Sequence, residues 1–169
     1  VRIFIGIKPE DCLKEILEIQ ESFRSLSLPG NYTFPDNIHM TLLFLGELDE
    51  AAVSAVKVAL RQIEYPRFDI HINKLKNLRD MIVLEAAREP ELMELQEKVR
   101  LAVAGRDIRT DDRPFYPHIT LIRQCNHRTD EPVRLKTMVR EVILFSSERI
   151  NNRLTYVPLF QNPFRGKDA

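Results

Sequence analysis

The sequence predicts an α+β fold of two duplicated βα-rich lobes, related by a pseudo-twofold axis, with a central cleft between two antiparallel sheets. Three observations predict it. Segments of strand-like and helix-like apolar periodicity alternate along the chain. The pattern His-x-Thr-Leu occurs twice, at His39-Met40-Thr41-Leu42 and His118-Ile119-Thr120-Leu121. A single shift of 79 positions also superposes Ile3 on Ile82, Glu10 on Glu89, Leu13 on Leu92, Glu15 on Glu94, Glu18 on Glu97 and Pro35 on Pro114. With the two motifs this gives nine identities, where ordinary residue usage gives roughly two to three by chance. An internal duplication of residues 3–46 as 82–125, within one domain spanning 1–169, is the simpler account.

Taken in order, residues 2–8 carry Ile3, Phe4, Ile5 and Ile7 as a buried strand. Pro9-Glu10-Asp11 opens a helix whose stripe runs Leu13, Ile16, Leu17, Gln20 and Phe23 before fading in 25–30. Residues 31–37 are a polar, proline-bearing approach to the first His-x-Thr strand, which ends at Gly46. Val53, Val56, Leu60 and Ile63 mark a second helix; Phe68, Ile70 and Ile72 alternate as a strand, and 74–80 reads as a basic loop. The pattern then restarts, with a strand over 82–87, proline at a helix start in Glu89-Pro90, and Leu92, Leu95, Val99, Ala102 and Val103 on one helical face. Beyond Arg123, Glu131-Pro132 predicts a brief helix through Met138, strands follow at 142–145 and 154–160, and 162–169 reads as a frayed tail.

Composition narrows the function classes. In 169 residues Lys and Arg balance Asp and Glu at 25 each, so no bulk charge draws the chain to nucleic acid or membrane, and an RNA partner must be gripped locally. No apolar run reaches membrane-spanning length and the start shows no signal-peptide pattern, which predicts a soluble cytoplasmic protein. Two isolated cysteines, Cys12 and Cys125, read as free thiols.

The repeated motif carries the chemistry. In a strand, a histidine and the threonine two positions on share a face, roughly 7 Å apart. Facing each other, two such pairs supply an acid, a base and two uncharged donors around one small anionic group. Displacement at phosphorus needs those parts, and neutral imidazoles titrate where both roles are accessible. One His-x-Thr alone is ordinarily a packed or surface histidine; its recurrence in register within a duplicated segment favours chemistry. His71 and His127 have no twin and read as surface residues. Two imidazoles without a matching carboxylate or cysteine do not make a zinc site, so neither metal nor cofactor is expected.

At these residues the chain resembles the two-histidine phosphoesterase superfamily, in its branch of 2'-5' RNA ligases and RNA 2',3'-cyclic phosphodiesterases. The resemblance spans 2–7, Ile38–Glu47, Phe115–Arg123, Leu144–Ser147 and Tyr156. It implies a bilobal fold with the site between the lobes, and metal-independent opening of a terminal 2',3'-cyclic phosphate to a 2'-phosphate. In some members it also implies ATP-independent joining of RNA ends through a 2'-5' linkage. Carried over, His39 and His118 are the catalytic acid and base, with His39 protonating the departing O3' and His118 activating water. Thr41 and Thr120 hold phosphate oxygens, Arg123 binds phosphate, and Phe44 contacts base or ribose. The last two lie five residues after their histidines, which strict alternation puts on the opposite face unless a bulge or strand end intervenes. Many relatives carry a basic residue where Leu43 stands. Lys74, Lys76 and Arg79, and Arg106, Arg109 and Arg113, are candidate contacts for longer RNA. The implied partners are RNA ends or nucleotide 2',3'-cyclic phosphates, met by a monomer. The alternative is a module that binds phosphorylated RNA ends without turnover.

Overall fold

The computed structural model describes residues 2–166. Nine strands, β1 (Arg2–Ile7), β2 (Asn31–Tyr32), β3 (Met40–Glu47), β4 (Phe68–Leu78), β5 (Met81–Ala86), β6 (His118–Arg123), β7 (Asp130–Val139), β8 (Glu141–Ile150) and β9 (Arg153–Pro163), accompany three helices, α1 (Leu13–Arg24), α2 (Glu50–Arg61) and α3 (Pro90–Ala104). Two of the three helix starts have a local cause. Asp49 caps α2 by accepting from Ala52 N at 2.8 Å, and α3 opens on Pro90, whose missing N–H costs nothing in a first turn.

The strands form an α+β fold with one strongly curled antiparallel half-barrel. Their order is β7-β4-β5-β6-β3-β1-β8-β9, with β2 added on β6. Where two sheets were expected there is a single one, joined at its centre between β3 and β6 by one residue pair, Met40 with Ile119. The helices share the main hydrophobic cluster with Ile3, Ile5, Met40, Leu42, Ile119 and Leu121. Phe4, Ile143, Phe145 and Tyr156 form a second, smaller cluster. Because side chains alternate, Phe4 and Ile5 point to opposite faces of β1, so the small cluster lies on the face away from the helices.

Three local expectations fail. The brief helix at 131–138 is instead β7. Val133, Leu135, Thr137 and Val139 alternate there, and Pro132 is tolerated because β7 is an edge strand. The basic loop at 74–80 is mostly strand: β4 continues to Leu78, with Leu75 buried between Lys74 and Lys76, leaving Arg79-Asp80 as the turn. The tail is ordered further than expected, since β9 reaches Pro163 and Phe164 is 4% exposed; residues 167–169 lie outside the described residues.

Candidate active site

The site is built on the central pair. Met40 and Ile119 point into the core, each 1% exposed, so His39, Thr41, His118 and Thr120 emerge on the opposite face. One antiparallel step outward sets His39 beside Thr120 and Thr41 beside His118, placing the histidines on a diagonal of at least about 7–8 Å. Each threonine therefore neighbours both imidazoles.

The two rings are held alike. His39 Nδ1 donates to the Asn37 carbonyl at 2.7 Å and His118 Nδ1 donates to the Tyr116 carbonyl at 2.7 Å. Since a carbonyl only accepts, Nδ1 carries the proton in both, and in the neutral ring Nε2 presents its lone pair. Thr41 donates to His39 Nε2 at 2.8 Å. His118 Nε2 has no hydrogen-bond partner among the described residues.

The bulges bring the flanking residues onto this face. Along β3, Gly6 faces Thr41 but Ile5 faces Leu43, so Leu42 is an extra residue. Along β6, Val83 faces Thr120 but Ile82 faces Ile122, so Leu121 is extra. Each bulge buries two successive residues, Leu42-Leu43 and Leu121-Ile122, and reverses the alternation beyond it. Phe44 and Arg123 thus share the face of their histidines; Phe44 is 55% exposed and its ring lies 6.0 Å from Phe4. The bulges sit 79 positions apart, as the histidines do, but the opening strands do not keep that spacing. Ile7 faces Met40 and Leu84 faces Ile119, so the partners are 77 positions apart and Ile3 and Ile82 are not in equivalent register.

Four residues to which the sequence assigned no role at the site support His39. Phe4 lies 4.9 Å from its ring and Tyr156 meets it edge-on at 5.0 Å. Gly6 faces it with no side chain: a Cβ there would stand 2.7 Å from the Met40 carbonyl oxygen and 3.4 Å from His39 Cδ2. Asn37, 5% exposed, ties the segment before His39 to β9, donating to the Leu154 carbonyl at 2.9 Å and accepting from Tyr156 N at 3.2 Å. Around His118, Tyr116 stacks at 4.7 Å and Arg88 lies over the Tyr116 ring at 5.7 Å. The Tyr116 hydroxyl is buried, and burial first, then the Glu85 carboxylate, pushes its pKa up.

The electrostatics differ between the rings. Burial lowers His39 to about 4; the Asn37 bond opposes this, while Arg123, His118 and Lys8 add to it. His118 is also lowered by burial and by Arg123 and Arg79, but the Tyr116 bond and Glu85 hold it up. Glu85 faces His118 directly, and one step beyond the Ile7–Met40 pair Lys8 comes beside His39. Opposite charges therefore occupy corresponding places. Both rings are neutral near pH 7.

Of the candidate contacts for longer RNA, Arg79 is the one that reaches the histidines' field. Lys74 pairs with Asp130, Lys76 with Glu85 and Arg113 with Asp111; Arg106 and Arg109 are exposed outside the site. His71 bonds Glu89 at the surface and His127 is exposed. Among the described residues no three His, Cys, Asp or Glu side chains converge as a metal-binding group, and no helix is long and apolar enough to cross a membrane.

Comparison with known proteins gives this geometry its context. The RNA 2',3'-cyclic phosphodiesterase of Escherichia coli strain K12 is 30% identical over 167 residues, covering 94% of this chain and 93% of that protein. The crystal structure of E. coli LigT in its apo form superposes with a TM-score of 0.83 at 26% identity over 96% of each chain. Its complex with 3'-AMP gives 0.81 at 28% identity, covering 96% of this chain and 97% of that one. The sequence profile of the 2'-5' RNA ligase superfamily matches residues 11–151, which include both motif strands and both bulges. By that match and the near-full-length likeness, the chain belongs to the 2'-5' RNA ligase superfamily.

Proposed function

We propose that this chain is an RNA 2',3'-cyclic phosphodiesterase, opening a terminal cyclic phosphate to a 2'-phosphate by histidine acid–base catalysis in a single domain built on the 3–46 and 82–125 repeat. The observation that carries the reading is the pair of imidazoles on one face, each with Nδ1 on a backbone carbonyl two residues before it. A module that only binds phosphate has no use for two imidazoles oriented alike on one face, one with its Nε2 free among the described residues and one with its Nε2 on a threonine hydroxyl.

The phosphate sits between Thr41 and Thr120, its non-bridging oxygens held by the hydroxyls and by Arg123. His118, the less depressed base with Glu85 behind it, takes the proton of the attacking water through Nε2. The water oxygen bonds to phosphorus as the P–O3' bond breaks, and His39 gives its Nε2 proton to O3'. Near neutral pH the free His39 is unprotonated, so this step requires the ring to take up a proton from solvent as the anionic substrate binds. The burial that lowers the free ring also strengthens its pairing with the phosphate charge, and a cation of low intrinsic pKa is the stronger acid. Phe44 offers its exposed ring to the terminal base or ribose. If the 5'-hydroxyl of a second RNA replaces water, the same proton transfers form a 2'-5' linkage without ATP. No cofactor enters the scheme, and a monomer suffices.

The test is incubation with an oligoribonucleotide ending in a 2',3'-cyclic phosphate, followed by mapping of the product phosphate. The expected product is the 2'-phosphate, with the rate reduced at least about 1,000-fold in His39→Ala and His118→Ala. Binding without turnover, or unchanged hydrolysis in His118→Ala, overturns the mechanism.

A further inference from the structure

Both bulged residues have a glutamine on their carbonyl, and in each case it comes from the helix of the other repeat. Gln20 of α1, in the first repeat, donates through Nε2 to the Leu121 carbonyl of β6, in the second, at 3.0 Å. Gln96 of α3, in the second repeat, donates to the Leu42 carbonyl of β3, in the first, at 3.1 Å. Leu42 and Leu121 are the extra residues that turn Phe44 and Arg123 onto the histidines' face. A bulge leaves its extra residue outside the ladder, and a buried carbonyl without a donor is costly. Each side-chain amide supplies that donor from beneath the sheet.

From this arrangement we infer that Gln20 and Gln96 are crossed positioning residues: Gln20 sets Arg123, and Gln96 sets Phe44. The two arms differ in strength. The Leu121 carbonyl also accepts from Thr33 N at 3.0 Å, and Gln20 further donates to the Thr33 carbonyl at 2.8 Å, so Gln20 binds β6 to the segment leading into the first motif. The Leu42 carbonyl has Gln96 as its side-chain donor. Gln20 is 2% exposed within an apolar helical stripe, a costly place for an amide that has no duty there. Because the bonds cross, each repeat's helix governs the substrate-facing residue of the other.

The inference rests on the phosphodiesterase reading for its kinetic readout, so the experiment pairs kinetics with a measurement that needs no activity. Gln20→Met and Gln96→Met keep the packing volume and remove the donor. On the cyclic-phosphate oligonucleotide, Gln20→Met raises KM to an extent similar to Arg123→Ala, with a smaller change in kcat, and adds less than about twofold in an Arg123→Ala background. In a Phe44→Ala background Gln20→Met keeps its full effect. Gln96→Met shows the mirror result, silent behind Phe44→Ala and undiminished behind Arg123→Ala. Independently, the Arg123 side-chain Nε–H resonance moves in Gln20→Met and stays in place in Gln96→Met. Should a Met variant fail to fold, Gln20→Asn and Gln96→Asn keep an amide that is one methylene too short to reach. Equal losses in every background, or an unmoved Arg123 resonance in folded Gln20→Met, overturn the inference. A wild-type protein without hydrolysis overturns the functional reading alone, because the resonance still reports the crossing.

Discussion

Replacing His39 with asparagine tests the electrostatics of the site through stability. The ring titrates at about 4 in the folded chain, against about 6.5 for an unfolded imidazole. A depressed folded pKa means that the unfolded chain binds more protons between these values. The contribution is therefore complete above about pH 6.5 and is lost as pH falls through 4. At pH 4.5 the unfolded ring is nearly all protonated and the folded ring roughly a quarter so, which amounts to about 2.5 kcal/mol of lost stability. Asparagine cannot titrate, yet its amide can still donate to the Asn37 carbonyl that His39 Nδ1 uses. The assay is urea unfolding at pH 7.5 and 4.5 for both proteins. Glu141, raised by burial, works in the opposite direction over part of this window, so the quantity compared is the difference between the proteins. We expect wild type to lose about 2–3 kcal/mol more than the variant. Equal losses would show that His39 is not held neutral by its surroundings, and the account of the site would fall with it.

Gly6→Ala should cost about 1–3 kcal/mol and lower hydrolysis, because the added methyl meets the Met40 carbonyl oxygen at 2.7 Å; a thermal melt with a rate measurement checks both. Asp11→Asn removes a carboxylate that accepts from Met138 N at 2.8 Å and from Arg140, and should destabilise by under about 1 kcal/mol at pH 7. Because Arg140 first, and then Met138, hold the Asp11 pKa down, that difference should fade as pH drops below the carboxylate range, in the same unfolding assay. Binding of a phosphate diester, which carries no titrating proton near pH 7, should take up protons, seen as binding heats that vary with the ionisation enthalpy of the buffer; identical heats in all buffers would remove the proposed source of the acid. Hydrolysis should persist in excess EDTA, since the proposed chemistry draws on imidazoles and hydroxyls.

Much of this architecture is written in local patterns. The motif strands, the three helices and the restart of the chain after Asp80 follow from periodicity, and the shared face of His39 with Thr41 follows from alternation. What escaped had long-range causes. The bulges appear in sequence only as the adjacent apolar pairs Leu42-Leu43 and Leu121-Ile122, which also fit an unbroken buried strand, so the placement of Phe44 and Arg123 could be posed but not answered. Pro132 argued for a helix start because nothing nearby shows that β7 is an edge strand. Gln20 did leave a trace, a polar residue in an apolar stripe. Its counterpart Gln96 lies 76 positions on, about one helical turn short of the repeat spacing, so a search at 79 passes over it. Gly6 and Asn37 matter through what approaches them, which no local pattern records.

The lone Met40–Ile119 pair has a mechanical consequence. Flanking strands are stitched together by many rungs, whereas here the half-barrel turns on one, so tilting one half against the other meets little resistance from the ladder. His39 and His118 stand immediately on either side of that pivot, where such a tilt alters the gap between their rings. What holds that gap is therefore the packing beneath it, with the two crossed glutamine bonds joining the halves where the ladder does not.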